Sequence, residues 1–248
     1  MITKQLLEGS LKEHQDMQEM VSKGKYQTKD EHSFAEAKER SVALVKDEEV
    51  KEYVRSDRFE PAGSILYGAG KDQNSASLSN CYLTPIEKDT IEAIYECQKN
   101  MALTFARRGG TGITLDILRP KGSSVNNAAV QSSGAVSFMP DFSSCVNTIG
   151  MQGRRGALIM TLDIRHPDIP LFIKCKSHPE EVFGKDPLTG RVPDISGANI
   201  SLAITKEFME AVKNDADWTF WFPDIEGAGK DFYNEHWDGD FTDRKSVV

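Results

Sequence analysis

The sequence predicts an α/β fold with mainly parallel strands, preceded by a helical N-terminal region. In the second half of the chain, short apolar stretches with strand character alternate with amphipathic helical stretches. Two helical stretches precede the first strand, and the polar C-terminal stretch contains no element that would finish a sheet. The 248 residues are enough for one large domain with a helical preface. We therefore expect a partial α/β domain.

The N-terminal region, residues 1–57, is predicted to consist of packing helices. Apolar residues recur with helical period over residues 2–23 and 33–57. Ser33 and Glu36 have the spacing of a capping box at the start of the second helix. We assign no chemistry to either helix.

A loop over residues 58–73, rich in glycine, leads into the stretch SLSNCYL at 77–83. The alternation of residues in this stretch fits a strand that carries Cys81. A lone cysteine is more often a small buried hydrophobic residue, so the thiol alone does not indicate chemistry.

A helix is predicted over residues 90–107, with Asp89 as its N-cap and Cys97 on its apolar face. His166 is expected to be a capping or packing group. The other predicted elements are strand 113–118, polar loop 121–133, helix 137–149, loop 150–156, strand 157–164, a helix opened by residues 166–168, polar loop 177–197, strand 199–204, helix 205–213 and strand 218–222.

Composition and charge exclude several classes of protein. The formal net charge of −8 argues against a general nucleic-acid-binding protein, because such proteins carry a basic excess. Four cysteines without close pairs predict neither a disulfide framework nor a metal site. The N-terminus lacks a secretory signal and no apolar run could span a membrane, so we expect a cytoplasmic protein with reduced thiols.

Arginine or lysine stands beside glycine at three places: 107–110, 119–122 and 153–156. Glycine allows backbone N–H groups to approach an anion closely, and arginine donates two hydrogen bonds to phosphate oxygens. Together the three places suit a nucleotide ligand, although each alone also fits an exposed turn.

Seven ordered segments over residues 58–241 resemble the large, catalytic subunit of ribonucleotide reductase. They are LSNCYL, DTIEAI, RRGGTGI, LRPKGSSV, SGAVSFM, GRRGALIMTLDIRHPDI and GANISLAITKEFMEAV. The N-terminus shows no ATP-cone regulatory module, which makes the chain most similar to the adenosylcobalamin-dependent class. The resemblance implies a ten-stranded α/β barrel, of which residues 58–248 would form about the first half.

The resemblance implies that Cys81 is one of two thiols that reduce a ribonucleoside di- or triphosphate. A thioredoxin-like protein would then reduce the resulting disulfide. The positions that match the substrate-binding neighbourhood are Ser64, Ser79, Asn80, Gly109 and Gly110.

The resemblance also implies a dNTP effector site at the interface of a homodimer. Asp89, Thr90 and Ile91 would face the effector sugar, and Arg119 would meet its phosphates. The other effector positions lie on two loops, with Lys121, Asn126 and Asn127 on the first and Gln152, Arg154 and Arg155 on the second.

The family's radical cysteine belongs to an N-x-C-x-E string, and this sequence contains none. The thiol partner of Cys81 is missing as well. We therefore expect a chain that is inactive alone and needs a C-terminal half, with adenosylcobalamin bound only by the complete enzyme. Two alternatives remain open: a catalytically inactive nucleotide-binding regulatory or scaffold protein, and a soluble α/β domain with exposed Arg-Gly turns.

Overall fold

The computed structural model describes residues 4–71, 76–149, 156–227 and 229–242. The chain forms two compact units. The first comprises residues 1–80 with 107–109, and the second comprises residues 81–106 with 110–248. The boundary expected after residue 57 lies inside the first unit.

The first unit is helical, with α1 at Lys4–Lys25, α2 at Phe34–Val42, α3 at Glu48–Arg55 and α4 at Gly63–Gly68. Of the two hydrogen bonds of the predicted capping box, the one to the N-cap side chain is confirmed, because Ser33 Oγ accepts from the Glu36 amide at 3.2 Å. In this part of the chain, no described helix is apolar and long enough to cross a membrane, and the same holds for the second unit.

The prediction of one helix over residues 33–57 is wrong. The chain leaves α2 after Val42, and Asp47 starts α3 by accepting hydrogen bonds from the next two free amides, those of Glu49 and Val50, at 2.9 and 3.4 Å. A short acidic side chain competes with the backbone in this way and so favours a cap over a helix interior.

The prediction of a continuous loop over residues 58–73 is also wrong, because α4 lies within it. The guanidinium of Arg40 donates to the carbonyl oxygens of Leu66 and Ala69 at 2.8 and 2.5 Å. A cation that donates to the last carbonyl groups of a helix stabilises the end of that helix. Here the cation is Arg40, which belongs to α2 and stabilises the end of α4.

The second unit contains a parallel four-stranded sheet whose strand order is the sequence order. Its strands are β1 at Cys81–Leu83, β2 at Gly110–Thr114, β3 at Leu158–Asp163 and β4 at Ala198–Ala203. The register places Cys81 opposite Gly110, Thr111 opposite Leu158, and Leu158 opposite Ala198. The predicted α/β fold with parallel strands is confirmed.

Helices cover the sheet and bury the core. They are α5 at Ile91–Ala106, α6 at Met139–Thr148, α7 at Ile169–Lys174, α8 at Pro179–Phe183, α9 at Lys206–Lys213 and α10 at Lys230–His236, with a 3₁₀ turn at Ala135–Phe138. Helices α5 and α6 pack against each other and against the strands. Cys97 of α5 is buried in this core, as predicted.

The predicted strand at 218–222 is wrong. The segment is irregular, and its Trp221 amide donates to the Arg165 carbonyl at 2.9 Å. Its apolar character comes from a cluster of aromatic rings in edge-to-face contact, in which Trp221 and Phe222 meet Trp237 and Phe241. Aromatic residues are typical of strands, but here they pack as part of a core.

Two other boundaries differ from the prediction. Strand β2 starts at Gly110 and ends at Thr114, whereas residues 113–118 were predicted, and the buried residues that follow Thr114 lie past the strand end. The polar loop over 177–197 contains α8, whose first residue is Pro179. Proline is favoured in the first turn of a helix, because its missing N–H has no partner there in any case.

Candidate functional site

Cys81 lies at the first position of β1 and is exposed. The other three thiols lie deeper, and burial raises the pKa of Cys97 to about 12 and that of Cys175 to about 11. A buried thiol with a raised pKa is a poor nucleophile and a poor redox group. Of the four cysteines, Cys81 is the one that is exposed, and Cys145 is half-buried.

The predicted substrate residues fall in both units, with Ser64, Ser79, Asn80 and Gly109 in the first and Gly110 in the second. Ser64 lies on α4, and its buried hydroxyl donates to the Leu78 carbonyl at 2.8 Å. Ser79 is exposed, and Asn80, half-buried, directly precedes Cys81. The Ser64 hydroxyl thus stabilises the backbone of the segment that precedes Cys81.

Gly109 and Gly110 are both buried. Gly110 opens β2 directly opposite Cys81 in the parallel register. Glycine has no side chain and so permits close backbone packing at this buried position.

The predicted effector residues Asp89 and Arg119 form an ion pair in the second unit. The Nε atom and the backbone amide of Arg119 both donate to Oδ2 of Asp89, at 2.6 and 3.2 Å. Nη1 of Arg119 donates to the Ser124 carbonyl at 2.6 Å. Burial lowers the pKa of Arg119, but the hydrogen bond to the Asp89 carboxylate outweighs it, so the pKa is raised and the guanidinium stays charged.

A third side chain, Tyr233 of α10, completes this group. Its hydroxyl donates to the same Oδ2 atom of Asp89, and the Arg119 guanidinium lies 5.5 Å from the centre of its ring. Burial and the neighbouring carboxylate raise the pKa of Tyr233, so the phenol remains a donor at neutral pH. We call Asp89, Arg119 and Tyr233 the Asp89 cluster.

The prediction that Asp89 is the N-cap of α5 is wrong. The Ala93 amide donates to Oγ1 of Thr90 at 3.2 Å, which makes Thr90 the capping residue. The sequence offers two adjacent capping side chains, and the carboxylate of Asp89 is drawn to the Arg119 guanidinium instead. Ile91, the first residue of α5, is 51% exposed and lies at the surface.

The first predicted effector loop, residues 121–133, is anchored at both ends by one carboxylate. Asp168 accepts from the amides of Lys121 and Ala135 at 2.9 and 2.8 Å. Gly134 makes this possible, since its φ is +92° and a Cβ atom there would lie 2.6 Å from Oδ2 of Asp168. Between these ends Ser124 pairs with Gln131 in an antiparallel bridge.

The predicted effector residues of this loop differ in their contacts. Lys121, Asn126 and Asn127 are exposed. Oδ1 of Asn127 accepts from the Ala129 amide at 2.9 Å and so shapes the turn. The second predicted effector loop, with Gln152, Arg154 and Arg155, lies outside the described residues.

His166 is confirmed as a packing and capping group. Its ring is fully buried, with Nε2 placed 2.8 Å from the Leu118 carbonyl and Nδ1 accepting from the Asp168 amide at 3.0 Å. Burial lowers the pKa of the ring, which favours the neutral tautomer with the proton on Nε2. The contact between His166 and the Leu118 carbonyl thereby fixes the backbone directly before Arg119.

Tyr233 and the anchoring role of Asp168 were not predicted from the sequence. Tyr233 lies 144 residues from Asp89 in the chain, in a stretch without a predicted element. A signal for Asp168 was present, because a carboxylate after His-Pro suggests a polar contact, but its partner amides cannot be read from spacing. Among the described residues, no group of three or more His, Cys, Asp or Glu side chains could hold a metal ion.

A family model described as ribonucleotide reductase, barrel domain, matches residues 79–246. The chain belongs to this family. The predicted family is thus confirmed.

Curated relatives carry related names. A vitamin B12-dependent ribonucleoside-diphosphate reductase of Thermoplasma acidophilum is 36% identical over 165 residues, which cover 66% of this chain and 20% of the relative. A ribonucleoside-diphosphate reductase large subunit of Monkeypox virus is 29% identical over 168 residues, 67% of this chain and 20% of the relative. The chain thus spans about a fifth of the length of these ribonucleotide reductases.

Solved structures support the fold. The alpha subunit of the class Id ribonucleotide reductase of Actinobacillus ureae superposes with a TM-score of 0.60 at 18% sequence identity. The superposition covers 80% of this chain and 35% of that chain. The parallel sheet of this chain, with its strands in sequence order, is consistent with part of the barrel of that family.

Proposed function

We propose that this chain reduces ribonucleotides to deoxyribonucleotides as one part of a ribonucleotide reductase. The observation that carries the proposal is the match to the family's barrel domain over residues 79–246, with the exposed thiol of Cys81 at the start of its first strand. The radical cysteine would come from a C-terminal half, because no N-x-C-x-E string occurs in these 248 residues.

The proposed chemistry requires two electrons, which a pair of thiols can deliver. Cys81 would supply one S–H group and the C-terminal half the other. In the net reaction the C2′–OH bond of the substrate and two S–H bonds are replaced by C2′–H, one water and one disulfide. A thioredoxin-like protein would restore the two thiols.

Nucleotides are the proposed substrate and effector. The names of the relatives specify ribonucleoside diphosphates, which favours a diphosphate substrate over a triphosphate. The positions proposed to bind it are Ser64, Ser79, Asn80, Gly109 and Gly110. A dNTP effector would bind a homodimer of the chain through the Asp89 cluster, the exposed loop of Lys121, Asn126 and Asn127, and the three positions at 152, 154 and 155.

Adenosylcobalamin is the cofactor that the name of the Thermoplasma relative suggests. The described cavities do not fit a corrin ring. One of about 730 Å³ lies among charged side chains of α1, α2 and α3, and one of about 420 Å³ lies between α5 and α6. Cofactor pockets are mostly apolar and enclosing. These residues would therefore not hold the cofactor themselves, and no step of the proposal is assigned to it.

The test is reconstitution of ribonucleotide reduction. The chain would be assayed for reduction of a ribonucleoside diphosphate with adenosylcobalamin and a dithiol, alone and with a C-terminal half that carries N-x-C-x-E. We expect no turnover by the chain alone and turnover by the pair. The matched control is Cys97→Ser, a buried thiol, beside Cys81→Ser.

Cys81→Ser should abolish repeated turnover in the reconstituted pair while it leaves nucleotide affinity within about twofold, because serine keeps the volume but not the redox chemistry. Cys97→Ser should retain turnover and instead lose about 1 kcal/mol of stability, since a more polar and smaller group replaces a buried thiol that donates to the Thr84 carbonyl at 3.5 Å. Wild-type rates for Cys81→Ser would contradict the proposal. Binding of dNTP by a chain that no C-terminal half activates would favour the regulatory alternative.

A further inference from the structure

Tyr233 connects the C-terminal helix of the described chain to the predicted effector residues. Oδ2 of Asp89 accepts from three donors, which are the Tyr233 hydroxyl, Nε of Arg119 and the Arg119 amide. Two of these donors come from Arg119, and the third comes from a helix 144 residues away. Tyr233 is 8% exposed, so its hydroxyl is committed to this contact and not to solvent.

The three bonds leave two polar atoms of the cluster unused. In residues 4–71, 76–149, 156–227 and 229–242, no hydrogen bond uses Oδ1 of Asp89 or Nη2 of Arg119. Oδ1 can accept from a hydroxyl, and Nη2 can donate to an anionic oxygen. Both side chains keep part of their surface exposed, 12% for Asp89 and 21% for Arg119.

The position of Tyr233 is itself fixed by two contacts. Its ring packs against Phe222, with centroids 6.0 Å apart. At the end of the same helix, Nε1 of Trp237 donates to the Ile117 carbonyl at 3.1 Å, two residues before Arg119. Helix α10 therefore holds Asp89 through Tyr233, and Trp237, the residue that follows α10, holds the turn before Arg119.

We propose that Tyr233 is a positioning residue of the effector site, where its hydroxyl holds Oδ2 of Asp89 so that Oδ1 is left to accept a sugar hydroxyl of the nucleotide. The inference rests on the proposed effector site and adds a residue to it. A carboxylate whose rotamer is fixed in advance loses less conformational entropy when the ligand binds. Tyr233 itself touches no ligand in this arrangement.

The test compares two nucleotides that differ in one hydroxyl. The deoxyribose of dATP carries a 3′-hydroxyl, and 2′,3′-dideoxyATP lacks it. Wild-type chain should bind dATP about tenfold more tightly, the factor expected for one hydrogen bond to a carboxylate. Tyr233→Phe should bind dATP about as weakly as dideoxyATP and should bind dideoxyATP like the wild type.

Tyr53→Phe is the matched control, since it also removes a hydroxyl that donates to a carboxylate, that of Glu49 at 2.9 Å in the first unit. It should leave both affinities unchanged. Calorimetric titration gives the affinities, and thermal unfolding shows whether each variant is folded.

The outcomes separate Tyr233 from the effector site as a whole. An equal loss for both nucleotides in Tyr233→Phe would assign Tyr233 a structural role only and overturn the inference, and so would unchanged dATP binding. A wild-type chain without preference between the two nucleotides would overturn it as well. Arg119→Ala tests the site independently: dATP affinity equal to the wild type, or no dATP binding by any chain, would refute the effector site itself.

Discussion

At the scale of single residues, Arg119 has a charge that is already paired. A triphosphate would accept a hydrogen bond from the unused Nη2 of Arg119, while Nε still donates to Asp89. Arg119→Ala should lower dNTP affinity about ten- to a hundredfold, the loss of one charge-assisted hydrogen bond. Arg119→Lys should restore only part of it, because an ammonium lacks the planar fork that serves Asp89, Ser124 and a phosphate together.

The measurement for Arg119 is calorimetric titration of dATP on a dimeric preparation. Arg165→Lys offers a comparison, because Arg165 also forms a partly buried ion pair with an aspartate, Asp163 at 2.8 Å, outside the cluster. Its effect should be on stability and not on dATP affinity. Equal losses of affinity in both variants would indicate a general structural effect.

Asp116 predicts a pH dependence of stability. Burial raises the pKa of its carboxyl to about 6 from 3.8, although Oδ1 accepts from the Asp163 amide at 2.7 Å. Because the folded pKa lies above the unfolded value, the stabilising contribution is complete below about pH 4 and is lost as the pH rises through 6. At pH 8 the half-buried carboxylate is charged, and this stabilising contribution is lost.

Asp116→Asn should therefore raise the free energy of unfolding at pH 8 by on the order of 1–3 kcal/mol and leave it nearly unchanged at pH 4. The amide oxygen of asparagine can still accept from the Asp163 amide, so the geometry is retained. Urea unfolding of both proteins at the two pH values gives the comparison. A stabilisation of the same size at both pH values would show that charge is not its cause.

At the scale of elements, the start of α5 separates capping from ligand binding. Thr90→Ala should lower the stability by about 1 kcal/mol, because the Ala93 amide loses its acceptor. Thr90→Ser should retain most of the wild-type stability. Thr148→Ala, which removes a hydroxyl bonded to a carbonyl inside α6, should change the stability by about 0.5 kcal/mol or less. Equal losses in the two alanine variants, measured by urea unfolding, would contradict the assigned cap.

The elements that sequence reasoning located well are those with strong local signals. Strands β3 and β4 and helices α5 and α9 begin and end within one or two residues of the prediction. Their apolar periods and nearby caps are properties of short stretches. The helix over 33–57 failed where Asp47 offered a competing cap, and the strand at 218–222 failed because tertiary packing of aromatic rings replaced strand pairing.

The candidate site divides in the same way. Cys81, Asp89 and Arg119 lie in or beside the sequence segments that resemble the family, so they were predicted. Tyr233 and the hold of Asp168 on the effector loop arise from contacts between distant segments. No spacing rule covers such contacts, because they depend on how α7 and α10 pack in three dimensions.

At the scale of the whole molecule, the proposed effector site links nucleotide binding to stability. A ligand that binds only the folded chain adds RT ln(1 + [L]/Kd), about 2.7 kcal/mol at a hundredfold excess over Kd. We expect dATP at that excess to raise the midpoint of unfolding of the wild type. At the same dATP concentration Arg119→Ala should show a much smaller rise, and an identical rise in both would place the nucleotide elsewhere.

The order of the sheet has a consequence for handling the chain. Among the described strands, β1 and β4 each pair on one side only, so the sheet has two open edges. An open edge presents a row of amide and carbonyl groups that a strand from another molecule can join. The contact that would complete a barrel within one enzyme is thus also the contact through which concentrated, separately expressed chains would aggregate. Edge-blocking lysines on β4, or co-expression with the strands that follow, would be the practical remedy.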